Sequence, residues 1–532
     1  MVTSVLTGMV QGVEGILIQV EADISQGLPM FNLFGSVSSE VKEGKERVRT
    51  AMKNSGIHLP PSRISVNLAP GDIRKSGTMF DLAIAVSLLL AMRLIPSDSA
   101  QGILFLGELS LDGSLSPVHG VLPIIRTARN EGYHLCFVPE ENREEASLLY
   151  GMTSVGFKSL EEVYQHLKGS RREFKKAVII DPETGECLPD SDDTAEKGIL
   201  YFSRNDSAYG YHDFSEVKGQ RLAKRALEIA AAGFHNVMMD GPPGVGKSML
   251  ASCLSGILPE MTIEEKLDTT MIYSVKGLLS KGFYLVENRP YRSPSQNVTL
   301  MGMFGGGQEP LPGEISLAHH GVLFLDEFPE YKKEVLEMLR VPLEEHKIGL
   351  IRNNRNIEFP ADFILIAAAN PCPCGYYPDR KRCRCSRRDI LRYQQKISGP
   401  MRDRIDLFVR CEEVGYDVLM KKEELESSAV IRKRVAAAWE RQKIRNGEIG
   451  EDSNGSFNGR LSSSQISTCC RLSPEGERLM ASAYKHYHLS GRAYYRILKA
   501  ARTIADLDGE ENISTAHLEE ALLYRNAAFS GD

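Results

Sequence analysis

Eight consecutive residues, Gly241-Pro-Pro-Gly-Val-Gly-Lys-Ser248, have the types and spacing that hold a nucleoside triphosphate. They follow the strand-like Asn236-Val-Met-Met239 and precede the helix-like stretch from Met249 to Ile257. Glycines let backbone N–H groups surround phosphate oxygens at a helix N-terminus, a lysine reaches the β and γ phosphates, and a serine holds Mg²⁺. The sequence therefore predicts a site for ATP and Mg²⁺ in a phosphate loop made of Gly241, Pro242, Pro243, Gly244, Val245, Gly246, Lys247 and Ser248.

Two carboxylates and one amide follow later apolar strands. Gly321-Val-Leu-Phe-Leu is followed by Asp326 and Glu327, and the run from Phe363 to Ala369 is followed by Asn370. We expect Asp326 to hold Mg²⁺, Glu327 to polarise the attacking water, and Asn370 to orient that water or sense the γ-phosphate. An acidic pair that merely closes a buried strand is the alternative.

Four of the ten cysteines fall within fourteen residues, as Cys372-Pro-Cys374 and Cys383-Arg-Cys385. Four thiolates could surround a tetrahedral Zn²⁺ and pin a loop too short for a core of its own. Because C-x-C is less usual than C-x-x-C, a reduced, solvated cysteine loop is the alternative. From Asp379 to Arg392, seven basic and two acidic residues give a local charge of +5, which makes this loop a candidate anion-binding surface.

A predicted hairpin comes just before the strand that ends at Asn370. Lys347-Ile-Gly-Leu-Ile351 and Asn356-Ile-Glu-Phe359 flank Arg352-Asn-Asn-Arg355. Paired asparagines favour the positive φ angles of a tight turn between two strands. The residues alone leave open whether its cations bind a ligand or are simply solvated.

The length of 532 residues suggests three or four domains at about 100 to 200 residues each. A composition of 42% hydrophobic and 25% charged residues excludes a fibrous or largely disordered chain. The net charge of −6 gives no reason to expect a nucleic-acid partner except at local surfaces. The longest apolar stretch, Leu82 to Met92, is about half of what a bilayer span needs, and the first residues lack a secretory signal. We therefore expect a cytoplasmic protein with no membrane partner.

The pattern of elements divides the chain into four regions. Residues 1–168 alternate strands and helices, as in an α/β or α+β domain, and residues 169–213 are rich in charge, Pro, Gly and Ser, as in a linker that could hold one short hairpin. Residues 214–412 predict a mostly parallel sheet covered on both faces, and residues 413–532 predict helices. The clearest runs are strands from Arg63 to Leu68 and Ile103 to Gly107, and helices from Asp81 to Met92, Ser428 to Arg445, Pro474 to His488 and Ser490 to Leu507, with Ser514 as the cap of a last helix.

Together these features resemble the AAA+ ATPases, and within them the magnesium-chelatase-related family. The resemblance covers nearly the whole chain, in the blocks VKGQRLAKRALEIAAAG, PGEISLAHHGVLFLDE, AANPCPCGYY, SGPMRDRIDL and LSGRAYYRILKAARTIADL. It implies a P-loop AAA+ core of the α/β class with a C-terminal helical lid. One departure is visible, because the family usually carries two histidines in the segment written here Arg292-Ser-Pro-Ser-Gln296.

The same resemblance implies roles for three residues. Asn370 becomes sensor 1, Arg404 the arginine finger that reaches the ATP of a neighbouring subunit, and Arg492 sensor 2 in the lid. An arginine supplied in trans stabilises charge on phosphoryl oxygens and makes hydrolysis depend on ring assembly, so we expect a hexamer. A salt bridge from Arg404 to Asp403 or Asp406 is the alternative.

The stretch from Gly71 to Ala83 resembles the proteolytic domain of Lon, which implies a ribosomal S5 domain 2-like α+β domain at the N-terminus. Lon-type cleavage needs a serine nucleophile and a lysine base. Alignment places Met79 and Leu122 at those two positions, and neither can do that chemistry. We expect the fold without the peptidase; the alternative is a peptidase that uses Ser76 and Lys75 in a shifted register.

In related AAA+ motors, a hairpin just before the sensor strand lines a central pore. The resemblance therefore implies that Lys347, Arg352 and Arg355 of the predicted hairpin contact a phosphate backbone. The expected function is an ATP-hydrolysing ring that moves along single-stranded or branched DNA, as a helicase promoting branch migration in natural transformation or recombination. One alternative is a chelatase-like subunit that remodels a metal-inserting protein. A non-catalytic scaffold is disfavoured by the complete set of expected catalytic residues.

Overall fold

The computed structural model describes residues 3–169, 212–279, 285–352, 355–420, 425–448 and 457–526. The predicted linker, apart from its two ends, lies outside the described residues, and so do the two asparagines of the predicted hairpin turn. The described elements form an N-terminal mixed sheet with helices, a parallel sheet with helices, and a set of C-terminal helices.

The N-terminal region is built on a seven-stranded mixed sheet in the order β3-β4-β2-β1-β5-β8-β9. Along β4, Ile64, Val66 and Leu68 are buried in alternation, as expected for one covered face. The helix Asp81–Ala91 is apolar almost all round and lies in the core of this region. The elements are β1 (Thr3–Gln11), β2 (Glu14–Ser25), β3 (Met30–Phe34), α1 (Ser39–Asn54), β4 (Arg63–Ala69), α2 (Asp81–Ala91), β5 (Ile103–Phe105), β6 (Glu108–Leu109), β7 (Leu115–Ser116), α3 (Val121–Asn130), β8 (Leu135–Pro139), α4 (Arg143–Ala146), β9 (Thr153–Phe157) and α5 (Leu160–Leu167).

The central region has a five-stranded sheet in the order β11-β12-β15-β10-β16, in which every pairing is parallel. Strands β12 and β15 are buried along their whole length, because helices cover both faces. The expected parallel sheet is confirmed. The elements are α6 (Arg221–Gly233), β10 (Val237–Asp240), α7 (Lys247–Ile257), α8 (Ile263–Lys276), β11 (Tyr291–Arg292), α9 (Leu300–Phe304), α10 (Glu314–Leu317), β12 (Val322–Leu325), α11 (Lys333–Met338), α12 (Pro342–Glu345), β13 (Lys347–Arg352), β14 (Arg355–Pro360), β15 (Ile364–Ala369), α13 (Arg387–Gln394), α14 (Gly399–Arg402), β16 (Leu407–Arg410) and α15 (Tyr416–Met420).

The C-terminal region is helical, as the sequence predicts. Ser490 caps its fourth helix by accepting a hydrogen bond from the Ala493 N–H (3.2 Å), and Ser514 Oγ accepts from the His517 N–H (3.4 Å) at the start of the last one. These helices share a hydrophobic core with α6 and α7. They are α16 (Ser428–Glu448), α17 (Ser463–Cys469), α18 (Pro474–His486), α19 (Gly491–Asp508) and α20 (Thr515–Asn526).

The N-terminal region packs on the central region through α8. Glu145 accepts hydrogen bonds from Ser274 Oγ and from the Leu122 N–H (3.2 Å), and Arg126 pairs with Asp268 at 2.8 Å. Burial raises the pKa of Glu145, while the hydrogen bond from Ser274 opposes that shift. The β1–β2 turn also packs against β14, so the N-terminal sheet supports the β13–β14 hairpin.

Among the helices of the described residues, none combines the length and the apolar character needed to cross a membrane.

Candidate nucleotide-binding site

The phosphate loop lies between the carboxyl end of β10 and the start of α7. Gly244 and Gly246 have φ angles of +80° and +89°, a region where a side chain is strained. A Cβ on either glycine would meet no atom within 4 Å. The loop backbone is therefore open on the side where phosphate oxygens would bind, and Gly246 places the N-terminus of α7 toward that space.

Lys247 is 8% exposed and lies under the loop. Its Nζ donates to the carbonyls of Gly241 (2.5 Å) and Pro242 (3.1 Å) and to Asn370 Oδ1 (2.9 Å). Burial lowers the pKa of Lys247, while nearby acidic groups, Asp326 among them, oppose the shift. The structure thus brings together the predicted lysine and the predicted sensor amide, although they are far apart in sequence.

Ser248 and Asp326 form the predicted magnesium pair. Ser248 Oγ donates to Asp326 Oδ2 at 2.9 Å. Asp326 directly follows β12, and Asn370 directly follows β15, so both extend from the same edge of the parallel sheet as the phosphate loop. A hydroxyl and a carboxylate are oxygen ligands of the kind that Mg²⁺ prefers, so the residues present fit this ion.

Glu327 is held by Gln296, a residue for which no role was predicted. Gln296 Nε2 donates to Glu327 Oε2, and the Glu327 N–H donates to Asp326 Oδ1 at 2.9 Å. Glu327 has a φ of +48°, a strained conformation that for a non-glycine residue costs on the order of 1 kcal/mol. The only sequence signal for Gln296 is its place in the segment where the family usually carries histidines.

The two predicted arginines share one carboxylate, Glu344. Arg404 is buried, and its Nη2 lies 2.7 Å from Glu344 Oε2, while Arg492 Nη1 lies 3.4 Å from Glu344 Oε1. Arg404 also donates to the carbonyls of Arg340 (3.0 Å) and Pro400 (2.7 Å). Nothing in the sequence pointed to Glu344, which lies in the four-residue helix α12.

The predicted alternative for Arg404 was wrong in its choice of acids. Asp403 lies 3.6 Å from Arg525, and Asp406 pairs with Arg496 and accepts from the Asn236 N–H at 2.8 Å. Both acids therefore have other basic partners. The physical reason is that the short segment between α14 and β16 turns Asp406 into the core and Arg404 toward α12.

Arg404 and the phosphate loop lie at opposite edges of the parallel sheet. Asn236 immediately precedes β10 and donates through Nδ2 to the Arg404 carbonyl at 3.2 Å. The phosphate loop follows the other end of β10, about 13 Å away for a strand of four residues. The structure therefore does not bring Arg404 and Arg492 to the cluster around Lys247.

The four cysteines are close together in space. Their Sγ atoms all lie within 4.8 Å of one another. Cys372 and Cys383 are buried, and Cys374 and Cys385 are half-buried. The loop begins two residues after Asn370, so it extends from the same sheet edge as the phosphate loop. A set of four thiol groups suits Zn²⁺ by its chemistry.

The predicted hairpin is present as β13 and β14, paired in register from Lys347↔Pro360 to Arg352↔Arg355. Arg352 is exposed, and the neighbouring Ile351 is 78% exposed. Lys347, which is expected to contact a phosphate backbone, has an acidic partner in its own chain, because its Nζ lies 2.9 Å from Glu358 Oε1. The side chain of Arg355 lies outside the described residues.

The residues at the expected Lon positions lie in the N-terminal core. Leu122 is fully buried, and Met79 packs against two hydrophobic clusters. Lys75, the base of the alternative register, is also buried and donates to the Pro70 carbonyl. A lysine held in this way would have to leave its carbonyl before it could accept a proton.

The parallel sheet, the phosphate loop at its carboxyl edge and the acidic residues beside it define the class of the AAA+ P-loop proteins. Three family models match: magnesium chelatase, subunit ChlI, over residues 213–419; subunit ChlI of Mg-chelatase over 20–142; and magnesium chelatase, subunit ChlI C-terminal, over 425–525.

Whole-length relatives narrow this class. Competence protein ComM of Haemophilus influenzae is 40% identical over 516 residues, covering 97% of this chain and 95% of that protein. Protein YifB of Escherichia coli is 38% identical over 515 residues, covering 97% and 95%. The chain belongs to the magnesium-chelatase-related AAA+ family that includes ComM and YifB. A part of the chain is also similar to Lon protease 2 of Bacillus subtilis, 28% identical over 130 residues, or 24% of this chain and 23% of that protein.

Proposed function

We propose that this protein is an ATP-hydrolysing motor that assembles into a ring and moves along DNA, promoting branch migration in transformation or recombination. Lys247 and Ser248 bind ATP and Mg²⁺, Asp326 completes the magnesium site, and Glu327 polarises the attacking water. Bound Mg²⁺ supplies positive charge to the phosphoryl oxygens. The expected roles of Asn370, Arg404 and Arg492 belong to the same proposal.

Ring assembly is supported by one observation: Arg404 lies far from the phosphate loop of its own chain. Arg404 and Arg492 meet at Glu344, on the amino edge of the sheet, while Lys247 and Asp326 lie on the carboxyl edge. The amino edge of one copy and the carboxyl edge of the next carry different, complementary groups. Copies that meet through these two edges associate head to tail and close into a ring, for which we propose six subunits. In that ring α16 to α20 act as the lid that carries Arg492.

The DNA substrate is supported by the exposed hairpin and by the name of one relative. Arg352 and Arg355 are placed as a cross-strand pair at the end of β13 and β14, next to the exposed Ile351. Cations suit a phosphate backbone, and an apolar side chain beside them suits base faces. The name of one relative, competence protein ComM, supports a role in competence, the state in which a cell takes up DNA.

The test is DNA-stimulated ATP hydrolysis together with displacement of a strand from three-strand and four-strand junctions. Wild type should hydrolyse ATP several-fold faster with DNA and should displace the strand. Glu327→Gln should bind ATP and DNA without displacement, since only the water-polarising group is lost. If wild type hydrolyses ATP, and DNA neither stimulates it nor is displaced, the function moves to the alternative of a chelatase-like subunit that remodels a metal-inserting protein.

The salt dependence of DNA binding tests the hairpin itself. Replacing Arg352 and Arg355 by alanine should make the plot of log affinity against log salt shallower by about 0.7 per lost contact on single-stranded DNA. Lys347→Ala should change the slope less, because Glu358 already neutralises this lysine. Lys332→Ala and Lys333→Ala, which remove exposed cations at the start of α11, serve as matched controls. An unchanged slope in the double arginine variant would remove the hairpin from the DNA interface.

A further inference from the structure

The four cysteine sulfurs have the spacing of ligands of one ion. Sγ of Cys372 lies 3.4 Å from that of Cys374 and 3.7 Å from that of Cys383. A tetrahedral ion with Zn–S bonds of about 2.3 Å separates its sulfurs by about 3.8 Å. With all four sulfurs within 4.8 Å of one another, the cluster has room for one ion rather than for a multinuclear cluster.

The loop around these sulfurs has little else to hold it. Its hydrophobic cluster contains the two buried cysteines and Ile390 as its fully buried members, with Cys374, Cys385 and two tyrosines packed around them. The Tyr377 N–H donates to Cys372 Sγ at 3.4 Å. Such a small core cannot fix a fourteen-residue loop by burial, whereas metal binding supplies folding energy directly.

The same loop packs directly on the phosphate loop. A Cβ on Gly375 would lie 2.6 Å from Pro243 Cδ and 3.8 Å from Asn370 Cγ. Asn370 in turn accepts a hydrogen bond from Lys247. On the far side, Gln394 Nε2 donates to the Pro371 carbonyl at 3.3 Å, which fastens α13 to the start of the loop. The position of Pro243 and Asn370 is therefore tied to the shape of the cysteine loop.

We propose that Cys372, Cys374, Cys383 and Cys385 bind one structural Zn²⁺, and that the resulting zinc knuckle holds Pro243 and Asn370 in place for nucleotide binding. Binding forms four Zn–S bonds and releases to solvent the protons that the thiols still carry. The zinc takes no part in hydrolysis. This inference is independent of the proposed DNA substrate, because it concerns nucleotide affinity alone.

The experiment uses the full chain, with zinc per chain measured by elemental analysis and nucleotide affinity by a fluorescent ATP analogue with Mg²⁺. Wild type should hold about one zinc per chain. The variant C374S/C385S changes the two half-buried ligands, and it should lose the zinc and bind the analogue about tenfold more weakly. The single variant C385H, which keeps four zinc ligands by replacing one thiolate with an imidazole, should retain both properties. Cys136→Ser, in a strand of the N-terminal sheet, is the matched control and should resemble wild type.

Chelation provides a second route if the double variant does not fold. Wild type stripped by a zinc-selective chelator in excess Mg²⁺ should lose analogue affinity by the same factor and regain it on addition of zinc. Zinc content near zero in wild type purified with added zinc, or disulfides among the four cysteines, would overturn the metal site. Loss of zinc with unchanged analogue affinity would overturn the role in holding the phosphate loop. These experiments measure zinc content and nucleotide affinity and do not involve DNA. Their results therefore keep their meaning even if the protein proves not to move along DNA.

Discussion

The two edges of the parallel sheet hold their charged groups in different ways. At the carboxyl edge, Lys247, Ser248 and Asp326 bond to neighbours around a loop whose backbone is open. At the amino edge, Arg404 is buried against Glu344 and two carbonyls. The carboxyl edge has an open loop that can receive an anion, whereas the arginine at the amino edge already pairs with a carboxylate of its own chain, that of Glu344. In the proposed ring, Arg404 would have to exchange Glu344 for a phosphate of the neighbouring subunit before it could act there.

The largest effect is expected from a substitution at the carboxyl edge. Lys247→Ala removes the cation that contacts the phosphates, so both ATP binding and hydrolysis should be lost, with turnover at least about 10³-fold lower. Analogue binding and phosphate release measure the two effects separately. Lys333→Ala, an exposed lysine in α11, is the control and should keep wild-type values. Retained ATP binding in Lys247→Ala would contradict the assignment of the phosphate loop.

Arg404→Ala breaks the amino edge and should separate binding from turnover. ATP affinity should stay within about twofold of wild type, because the phosphate loop of the same chain is intact, while turnover falls about 10²- to 10³-fold. Mixing this variant with Lys247→Ala sharpens the comparison. A 1:1 mixture should regain activity at about a quarter of the head-to-tail interfaces, where an intact loop meets an intact arginine. If the mixture stays inactive, the two edges do not meet between chains.

The amino edge also predicts sensitivity to acid. Burial would raise the pKa of Asp406, but Arg496 and His235 outweigh it and hold the pKa well below its ordinary value of 3.8. Because the folded pKa lies below the unfolded one, ionised Asp406 stabilises the fold above about pH 4, and this contribution is lost as the pH falls below that value. Asp406→Asn should lower the free energy of unfolding by about 3 kcal/mol at pH 7.

Denaturant titrations of Asp406→Asn at several pH values measure this effect. Relative to wild type, the variant should lose less stability between pH 5 and pH 3. The control is Asp403→Asn, since this partly exposed acid lies 3.6 Å from Arg525 and should contribute little. Equal acid dependence in wild type and Asp406→Asn would place the acid-sensitive group elsewhere.

The smallest expected effect concerns Glu344. Its side chain is 41% exposed, so the ion pairs with Arg404 and Arg492 are partly screened by solvent. Glu344→Gln should therefore lower the free energy of unfolding by less than about 1 kcal/mol. The neighbouring Glu345→Gln is the matched control for stability. A loss of several kcal/mol would mean that Glu344 holds the fold of this edge rather than the position of two arginines.

Much of the carboxyl edge could be predicted from sequence, because its groups follow continuous apolar strands. The order of β10, β12 and β15 in a parallel sheet then brings Lys247, Asp326 and Asn370 together. The amino edge could not be predicted in this way. Glu344 stands in a short helix with no motif around it, and the acids nearest to Arg404 in sequence turn toward other arginines.

Contacts between separate loops could not be predicted from the sequence either. The spacing of the four cysteines suggested a common ion, but the packing of Gly375 on Pro243 depends on how two loops of different strands meet in space. The pairing of Gln296 with Glu327 is another such contact, since a glutamine in a segment without regular structure has no periodic signal. The N-terminal fold was easier, because its strands alternate buried and exposed residues.

One residue, His346, separates the helix that carries Glu344 from the first strand of the hairpin. The six residues of β13 extend about 20 Å from His346. A rotation of the hairpin by about 10° about His346 would displace its far end by about 3.5 Å, close to the 3.4 Å rise per nucleotide of a DNA strand. In the proposed motor, a change of ionic partner at Glu344 would therefore need to rotate the hairpin by only about 10° to advance its tip by one nucleotide.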